Sequence, residues 1–348
     1  MIRNFINKIL LFPYYFALSF RHFLYDSRIL KSYRPDIPVI SLGNITAGGT
    51  GKTPHTEYLI RNLSPGFRVA VLSRGYGRKS RGFRFVQTGD TPLVCGDEPL
   101  QIKRKFPEIT VAVDEKRKRG IDMLLSLLPE ERPQIIILDD GFQHRSITPT
   151  INIVLIDYNR PVSGDRLIPF GRLRDLPSRL KKADSVIITK CPGEPDEEEQ
   201  IALRKREGIL DKQSLFFSMI DYSDPQPLFE GADKRYAYSR FAIVVTSVAN
   251  PVPLYYYIRN SGKIINARLS FPDHHNFSRS DINRINRWAS EFPKCGIYTT
   301  EKDAQRLSVM DKLSDDVKKR LFYVPICVKV LEEEGAELFI NQIKTKLG

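Results

Sequence analysis

A short apolar run, Val39–Gly43, leads directly into a glycine-rich loop and then into a helical pattern. The loop and helix start read Asn44-Ile-Thr-Ala-Gly-Gly-Thr-Gly-Lys-Thr53. No other stretch constrains the fold as tightly. A buried strand, a turn that needs glycine and a helix opening on Lys-Thr make a β–loop–α unit. Its backbone N–H groups and helix N-terminus converge on one point, which suits a phosphate. Gly48, Gly49 and Gly51 let the backbone turn, Lys52 reaches the β- and γ-phosphates, and Thr53 holds Mg²⁺. Thr46 stands where the usual motif has its first glycine. Thr46, Ala47, Gly48, Gly49, Thr50, Gly51, Lys52 and Thr53 are the expected nucleotide-binding residues.

Further apolar runs follow at Val69–Ser73, Thr110–Val113, Ile135–Leu138, Ile151–Ile156 and Ser185–Thr189. They are rich in β-branched residues and lack polar alternation, as in parallel strands covered on both faces. Helical stretches such as 116–128 supply the crossovers. Residues 192–212 are charged and read as an exposed helix. From 216 to 240, Pro, Asp and Gly become frequent, which predicts a linker or ribbon. Phe241–Thr246, Gly296–Thr300 and Leu321–Val330 then predict a second unit. The expected fold is α/β: a P-loop NTPase-like, mostly parallel sheet flanked by helices, with a smaller α/β subdomain. The expected boundaries are an N-terminal helix over 1–35, a core over 36–215, a linker over 216–240 and the smaller unit over 241–348.

The first 25 residues are greasy and aromatic, but the longest uncharged run, Ile9–Phe20, has 12 residues and contains Pro13. A spanning helix needs roughly 20 apolar residues. Up to Arg34, six Lys or Arg face the single acid Asp26. Aromatics flanked by cations suit a helix lying on an anionic membrane surface. The whole chain of 348 residues carries a net charge of +13, which favours an anionic partner. No nucleic-acid-binding module accompanies that charge. The four cysteines, Cys95, Cys191, Cys295 and Cys327, form no C-x-x-C pair, so neither a zinc site nor a disulfide framework is indicated.

Four other stretches carry unusual polar equipment. Asp139, Asp140, Gln143 and His144 follow the apolar run 135–138, and an acid at a strand end is how P-loop proteins place a carboxylate near Mg²⁺. Asp139 and Asp140 are both expected at the metal, and the sequence leaves open which of them meets it directly. Asp97 and Glu98, in Gly96-Asp-Glu-Pro99, are adjacent carboxylates on a loop, one suited to metal and one to act as a base. His274 and His275 lie in Phe271-Pro-Asp-His-His-Asn276, where one imidazole suits an orienting or proton-accepting role. Arginines stand in Ser73-Arg-Gly-Tyr-Gly-Arg78 and Phe170-Gly-Arg-Leu-Arg174, with the geometry phosphate oxygens need. A further polar turn, Thr300-Glu-Lys-Asp303, receives no role.

Together these stretches resemble one family. "SLGNITAGGTGKTP", "LSRGYGR", "GDEP", "DDGFQH", "IPFGRLRD", "FPDHH" and "TEKDA" occur in the order of the tetraacyldisaccharide 4′-kinases and span residues 40–304. The resemblance implies transfer of the ATP γ-phosphoryl group to the 4′-hydroxyl of a tetraacyldisaccharide 1-phosphate, giving lipid IVA in lipid A synthesis. It implies Mg²⁺, a lipid acceptor and the cytoplasmic face of the bacterial inner membrane; a monomer is expected, although the sequence does not give the oligomeric state. It assigns Asp97 and His274 to a catalytic dyad and Lys52 and Arg174 to charge neutralisation, with Arg172 close by. Thr53, Glu98, Asp139 and Asp140 fall around Mg²⁺, and Gln143 and His144 in the polar cluster beside it. The family often has "PAGPLRE" where this chain has Pro169-Phe-Gly-Arg-Leu-Arg-Asp175. A P-loop ATPase acting as a positioning switch is the main rival; such proteins carry an early lysine where this chain has Ala47.

Overall fold

The apolar runs do form strands, and most of them join one sheet. In a computed structural model describing residues 2–273 and 275–347, a helix α1 (Ile2–Asp26) precedes β1 (Val39–Gly43). Then come α2 (Lys52–Leu63), β2 (Val69–Ser73), β3 (Arg84–Phe85), α3 (Pro92–Cys95), α4 (Asp97–Lys105), β4 (Thr110–Val113) and α5 (Arg117–Leu125). They continue as β5 (Ile135–Asp139), β6 (Ile151–Asp157), β7 (Ser185–Thr189), α6 (Glu197–Glu207) and β8 (Ser214–Tyr222). The remainder are β9 (Gln226–Pro227), β10 (Phe241–Thr246), α7 (Val252–Asn260), β11 (Ile264–Ser270), α8 (Arg279–Glu291), β12 (Gly296–Thr300), α9 (Glu301–Leu307), α10 (Asp315–Arg320), β13 (Leu321–Val324), β14 (Ile326–Val330) and α11 (Glu333–Leu347).

The large sheet has the order β14-β8-β7-β6-β1-β5-β2-β4-β3. Strands β8 to β4 in that order run parallel, and the two edge strands are antiparallel. Strands β1, β2, β5 and β7 are buried at every position, which is why they read as unbroken apolar runs. One face packs Leu59, Ile60 and Leu63 of α2 and Phe339, Ile340 and Ile343 of α11. The other packs Ile121 and Leu124 of α5. Strand β1 lies between β5 and β6, where the strand order reverses. Ligands of open parallel sheets sit outside the carboxyl ends of the strands at such a point.

The second sheet has the order β11-β10-β12-β13-β9. Here the structure corrects the sequence reading. Leu321–Val330 was expected to be one strand of the smaller unit. It breaks at Pro325, which has no N–H for either ladder. Leu321–Val324 stays in the small sheet, while β14 pairs with β8 in the large one. Helix α11 follows β14 onto the large sheet, so the smaller unit does not run to residue 348. Likewise the expected 216–240 ribbon begins inside β8, and only β9 and a helical turn at Lys234–Tyr238 belong to the small unit's side. Apolar content marks a strand but does not tell which of two sheets it joins. The helix expected within 192–212 is shorter. Asp196 caps it by accepting from the Glu199 N–H, and Gly208 closes it at φ 65°.

Helix α1 turns Tyr14, Leu18 and His22 inward at a spacing of four. Phe12, Tyr15, Phe16, Phe20 and Phe23 are exposed. The rings of Phe12, Phe16 and Phe20 stack in sequence, with centroids 6.4 and 6.1 Å apart. Among the described residues no helix is long and apolar enough to cross a membrane.

Candidate active site

The glycine-rich loop leaves β1 and begins as a short ladder against residues 172–174. Thr46 bridges Leu173, the Ala47 N–H donates to the Arg172 carbonyl (2.6 Å), and the Arg174 N–H donates to the Ile45 carbonyl (2.8 Å). Extended backbone at 46 explains why threonine serves there in place of glycine. The turning is done later, at Gly48 (φ 96°) and Gly51 (φ 89°), where a side chain would strain the backbone. Asn44 braces the loop by donating to the Thr50 hydroxyl (2.8 Å). Gly51 ends the loop as the N-cap of α2, with Lys52 and Thr53 in its first turn, so the helix dipole adds positive character at the loop.

Strand β5 delivers Asp139 and Asp140 beside this loop. Asp139 is buried; its Oδ2 accepts from the Ser73 hydroxyl (3.1 Å), and its Oδ1 is buried with no hydrogen-bond partner. Burial, then the charges of Glu98 and Asp140, push its carboxyl up to about 7, against Lys52 and the Ser73 bond. Asp140 adopts φ 52°. It meets Arg174 in a two-pronged pair (3.0 and 3.2 Å) and lies 3.8 Å from Lys52 Nζ. Burial works against its ionisation, but Lys52 and Arg174 prevail and hold it below the usual carboxylate range.

Arg174 is the loop's clamp. Its Nε donates to the Thr46 carbonyl (3.1 Å), and its Nη2 also donates to Asn44 Oδ1. Arg172 is exposed and meets the loop through its carbonyl. The two neighbouring arginines are therefore distinguished by geometry.

Asp97 and Glu98 open α4. Gly96 precedes them at φ 93°, and a Cβ there would lie 3.0 Å from the Tyr76 carbonyl, so "GDEP" and "RGYG" pack together. Asp97 is buried and Glu98 half-buried. Asp97 is ion-paired with Arg306, and Glu98 Oε1 lies 3.3 Å from Lys302 Nζ. Both partners come from α9 of the small sheet's unit. Ser73 donates to Asp139, and Gly75 and Tyr76 just after it pack on Gly96, which brings the start of α4 toward the acids of β5.

After Asp140 the chain turns at Gly141, where a Cβ would lie 2.8 Å from both Ser41 Oγ and Leu138 Cβ. Gln143 Nε2 is buried without a partner, and the Gln143 carbonyl accepts from Arg21 of α1 (3.3 Å). Burial, then Arg117, push the His144 imidazole down to about 4, so it is neutral at pH 7. His274 lies outside the described residues. His275 is engaged elsewhere: its Nε2 is 2.9 Å from Asp281, and its ring stacks on Phe271 with centroids 4.8 Å apart. Arg78, from the other arginine stretch, is tied to Glu115 and to the Gly82 carbonyl (2.8 Å).

Several residues at this site have no role assigned from the sequence, although Asn44, Ser73 and Lys302 lie inside the matching stretches. Arg117 is buried, donates to the Asp114 carbonyl (2.5 Å) and reaches the Asp139 carbonyl (3.4 Å); burial lowers its pKa to about 10. Ser73, Asn44, Lys302 and Arg306 are others. Among the described residues no three His, Cys, Asp or Glu side chains form a ready metal cage.

The site provides a phosphate loop, a lysine and an arginine beside it, and an orphaned buried carboxylate oxygen. Two more acids stand at a helix start facing a second domain-sized unit. That set suits phosphoryl transfer, in which positioning and charge neutralisation do most of the work.

Comparison with known proteins gives a consistent picture. The family model described as tetraacyldisaccharide-1-P 4′-kinase matches residues 5–345. A tetraacyldisaccharide 4′-kinase of Parabacteroides distasonis is 40% identical, covering 98% of this chain and 96% of that protein. One from Porphyromonas gingivalis is also 40% identical, covering 94% and 92%. Among solved structures, LpxK from Aquifex aeolicus, crystallised in complex with ATP, is 27% identical with a TM-score of 0.76 and covers 100% of both chains.

Proposed function

The chain belongs to the tetraacyldisaccharide-1-P 4′-kinase family, and from that premise we propose that its chemistry takes place where the P-loop faces Asp97 between the two sheets. The protein is an ATP-dependent kinase. It transfers the γ-phosphoryl group to the 4′-hydroxyl of tetraacyldisaccharide 1-phosphate, giving lipid IVA in lipid A synthesis. One observation supports the placement most strongly: Ser73 donates to Asp139 Oδ2 (3.1 Å) while Gly75 and Tyr76, just after it, pack on Gly96 at the start of α4. This packing supports reading the acids of α4 and the nucleotide loop as one site.

In this reading the loop amides of residues 46–53 cradle the phosphates, and Lys52 and Arg174 neutralise charge on the transferred group. The acceptor hydroxyl must lose a proton, and Asp97, with His274 as its partner, takes it. Mg²⁺ fits the residues present. Asp139 Oδ1 is a buried oxygen with no hydrogen-bond partner, and a cation bound there would offset the burial of this carboxylate. Magnesium uses one or two protein carboxylates together with substrate phosphates, so no complete protein cage is required. Asp139, Glu98 and the Thr53 hydroxyl would hold it, and when bound it neutralises phosphate charge. Asp140, already committed to Arg174 and Lys52, holds those cations in place, while Gln143 and His144 line the space behind.

The acceptor carries four acyl chains, so the enzyme works at a membrane surface. The exposed Phe12–Phe16–Phe20 ladder, flanked by cations, would lie among anionic headgroups at the cytoplasmic face of the inner membrane. A monomer suffices for this arrangement, and nucleic acid has no part in it. The test is incubation with γ-labelled ATP, Mg²⁺ and the tetraacyl disaccharide 1-phosphate. A labelled lipid is expected; its absence from folded protein would reject the assignment.

A further inference from the structure

The turn after β12, without a role from sequence, supplies the small unit's half of a charged seam. Lys302 Nζ lies 3.3 Å from Glu98 Oε1, 3.6 Å from Asp273 Oδ1 and 4.0 Å from Asp97 Oδ2. One helical turn later, Arg306 Nη2 pairs with Asp97 Oδ2. Its Nη1 donates to Ser247 Oγ (2.9 Å) and reaches the His275 carbonyl (3.5 Å). Asp303 fixes the base of this arrangement. Its Oδ2 accepts from the Ser247 N–H and the Thr300 hydroxyl, each at 2.8 Å, and its Oδ1 accepts from the Ser247 hydroxyl. The cations are therefore held from below by the carboxyl ends of β10 and β12, and aimed at α4.

Both cations are well covered, with side chains 20% exposed for Lys302 and 6% for Arg306. Burial alone would lower the Lys302 pKa, but Glu98, Asp97 and Asp273 outweigh it and hold it above the ordinary value. The amine is firmly cationic. Holding the two units together does not by itself require these contacts. Lys105 of α4 already pairs with Glu301 (3.0 Å), and Arg104 with Gln305 (2.8 Å) and Ser308 (3.2 Å), along the same helix pair. Lys302 and Arg306 instead place their charge on the two acids that face the reaction.

We infer that Lys302 and Arg306 are positioning residues for phosphoryl transfer: they fix Asp97 and Glu98 and tie that geometry to the approach of the two units. The inference rests on the functional reading above. Both cations act on the acids of α4 from α9, so their loss should fall on transfer rather than on ATP binding. A misplacement of about 1 Å in a reacting group costs on the order of a hundredfold in rate.

The test uses full-length protein, with kcat, KM for ATP and thermal melting measured for Arg306→Ala, Arg306→Lys, Lys302→Met and Lys302→Arg. Expected for Arg306→Ala and Lys302→Met is a kcat lower by roughly a hundredfold, with KM for ATP within about threefold. The charge-preserving Arg306→Lys and Lys302→Arg should recover about tenfold of that loss. In an Asp97→Asn background, Arg306→Ala should add less than about threefold, because it acts through Asp97. If the wild type phosphorylates the lipid and Arg306→Ala retains full kcat, the inference fails alone. It also fails if losses in the Asp97→Asn background are independent, or if kcat and ATP affinity fall together without rescue by lysine. A wild type that makes no phosphorylated lipid overturns the functional reading and this inference with it.

Discussion

His22 Nε2 lies 2.5 Å from Asp175 Oδ1, and both side chains are buried. The N-terminal helix is thus bonded to the residue that follows Arg174. Tyr14 adds a bond to the Arg174 carbonyl (3.1 Å), and Arg145 joins the His22 carbonyl (2.8 Å) to Asp26 (2.7 Å). The helix that carries the exposed phenylalanines also braces the arginine that clamps the nucleotide loop. Burial holds the His22 imidazole below its ordinary pKa, so at neutral pH the pair is a hydrogen bond from a neutral ring to a buried carboxylate, and losing that donor costs about 2 kcal/mol. His22→Ala should therefore lower stability by about that much in urea unfolding. It should also reduce kcat by roughly tenfold through Arg174. A variant as active and stable as wild type would separate the helix from the site.

Arg174 donates to Asp140, Asn44 and the Thr46 carbonyl from one planar fork. A lysine cannot reproduce that set. Arg174→Lys should lose roughly a hundredfold in kcat, about the cost of removing one strong transition-state donor. Arg172→Ala should stay within about twofold. Steady-state kinetics of the two variants checks this, and the reverse order would move the functional arginine to 172.

The two aspartates at the end of β5 should separate in a magnesium titration. Asp139 has the orphaned oxygen, while Asp140 is engaged by Arg174. Asp139→Asn should raise the Mg²⁺ concentration for half-maximal activity by at least about tenfold. Asp140→Asn should lower kcat with a smaller change in Mg²⁺ dependence.

His55 sits buried beneath the loop. Its Nδ1 donates to the Gly51 carbonyl (2.7 Å), and its Nε2 accepts from the Ser218 hydroxyl (2.9 Å). Burial pushes its pKa down to about 4 from an ordinary 6.5. Between those values the unfolded chain binds a proton that the folded chain refuses. Stability therefore falls as pH drops through that window, by about 3 kcal/mol at most. Glu57 works the other way: burial raises it to about 7, so its contribution falls as pH rises from 4.5 to 7. The difference in unfolding free energy between wild type and His55→Gln, followed from pH 7 to pH 4, isolates the histidine. It should shrink with acid; a flat difference would contradict the buried neutral ring.

Replacing Phe12, Phe16 and Phe20 together by serine removes the aromatic ladder without touching the inward face of Tyr14, Leu18 and His22. Binding to anionic vesicles, measured by sedimentation, should weaken by at least about tenfold. Undiminished binding would move the membrane contact elsewhere.

The sequence carried the P-loop, the acids closing β5 and the start of α4, because each is local: a few residues in fixed order around a strand end or helix start. It carried the strands of the large sheet because burial on both faces leaves unbroken apolar runs. It did not carry the break at Pro325, since Leu321–Val324 and Ile326–Val330 are equally apolar and differ only in their distant partners. Nor did it carry His22–Asp175 or Arg306–Asp97, which join residues 153 and 209 positions apart. Charge that is paired across the fold looks, in sequence, like ordinary surface charge.

The central claim is that Asp97 serves transfer of phosphate to the 4′-hydroxyl of the lipid at the P-loop site. The most direct measurement is single-turnover reaction of wild type and Asp97→Ala with ATP, Mg²⁺ and the tetraacyl disaccharide 1-phosphate, with the product's phosphate located by phosphorus NMR. Wild type should place it on the 4′ position, and Asp97→Ala should bind ATP yet transfer more slowly by on the order of a thousandfold. Phosphate at another position, or undiminished transfer by Asp97→Ala, would contradict it.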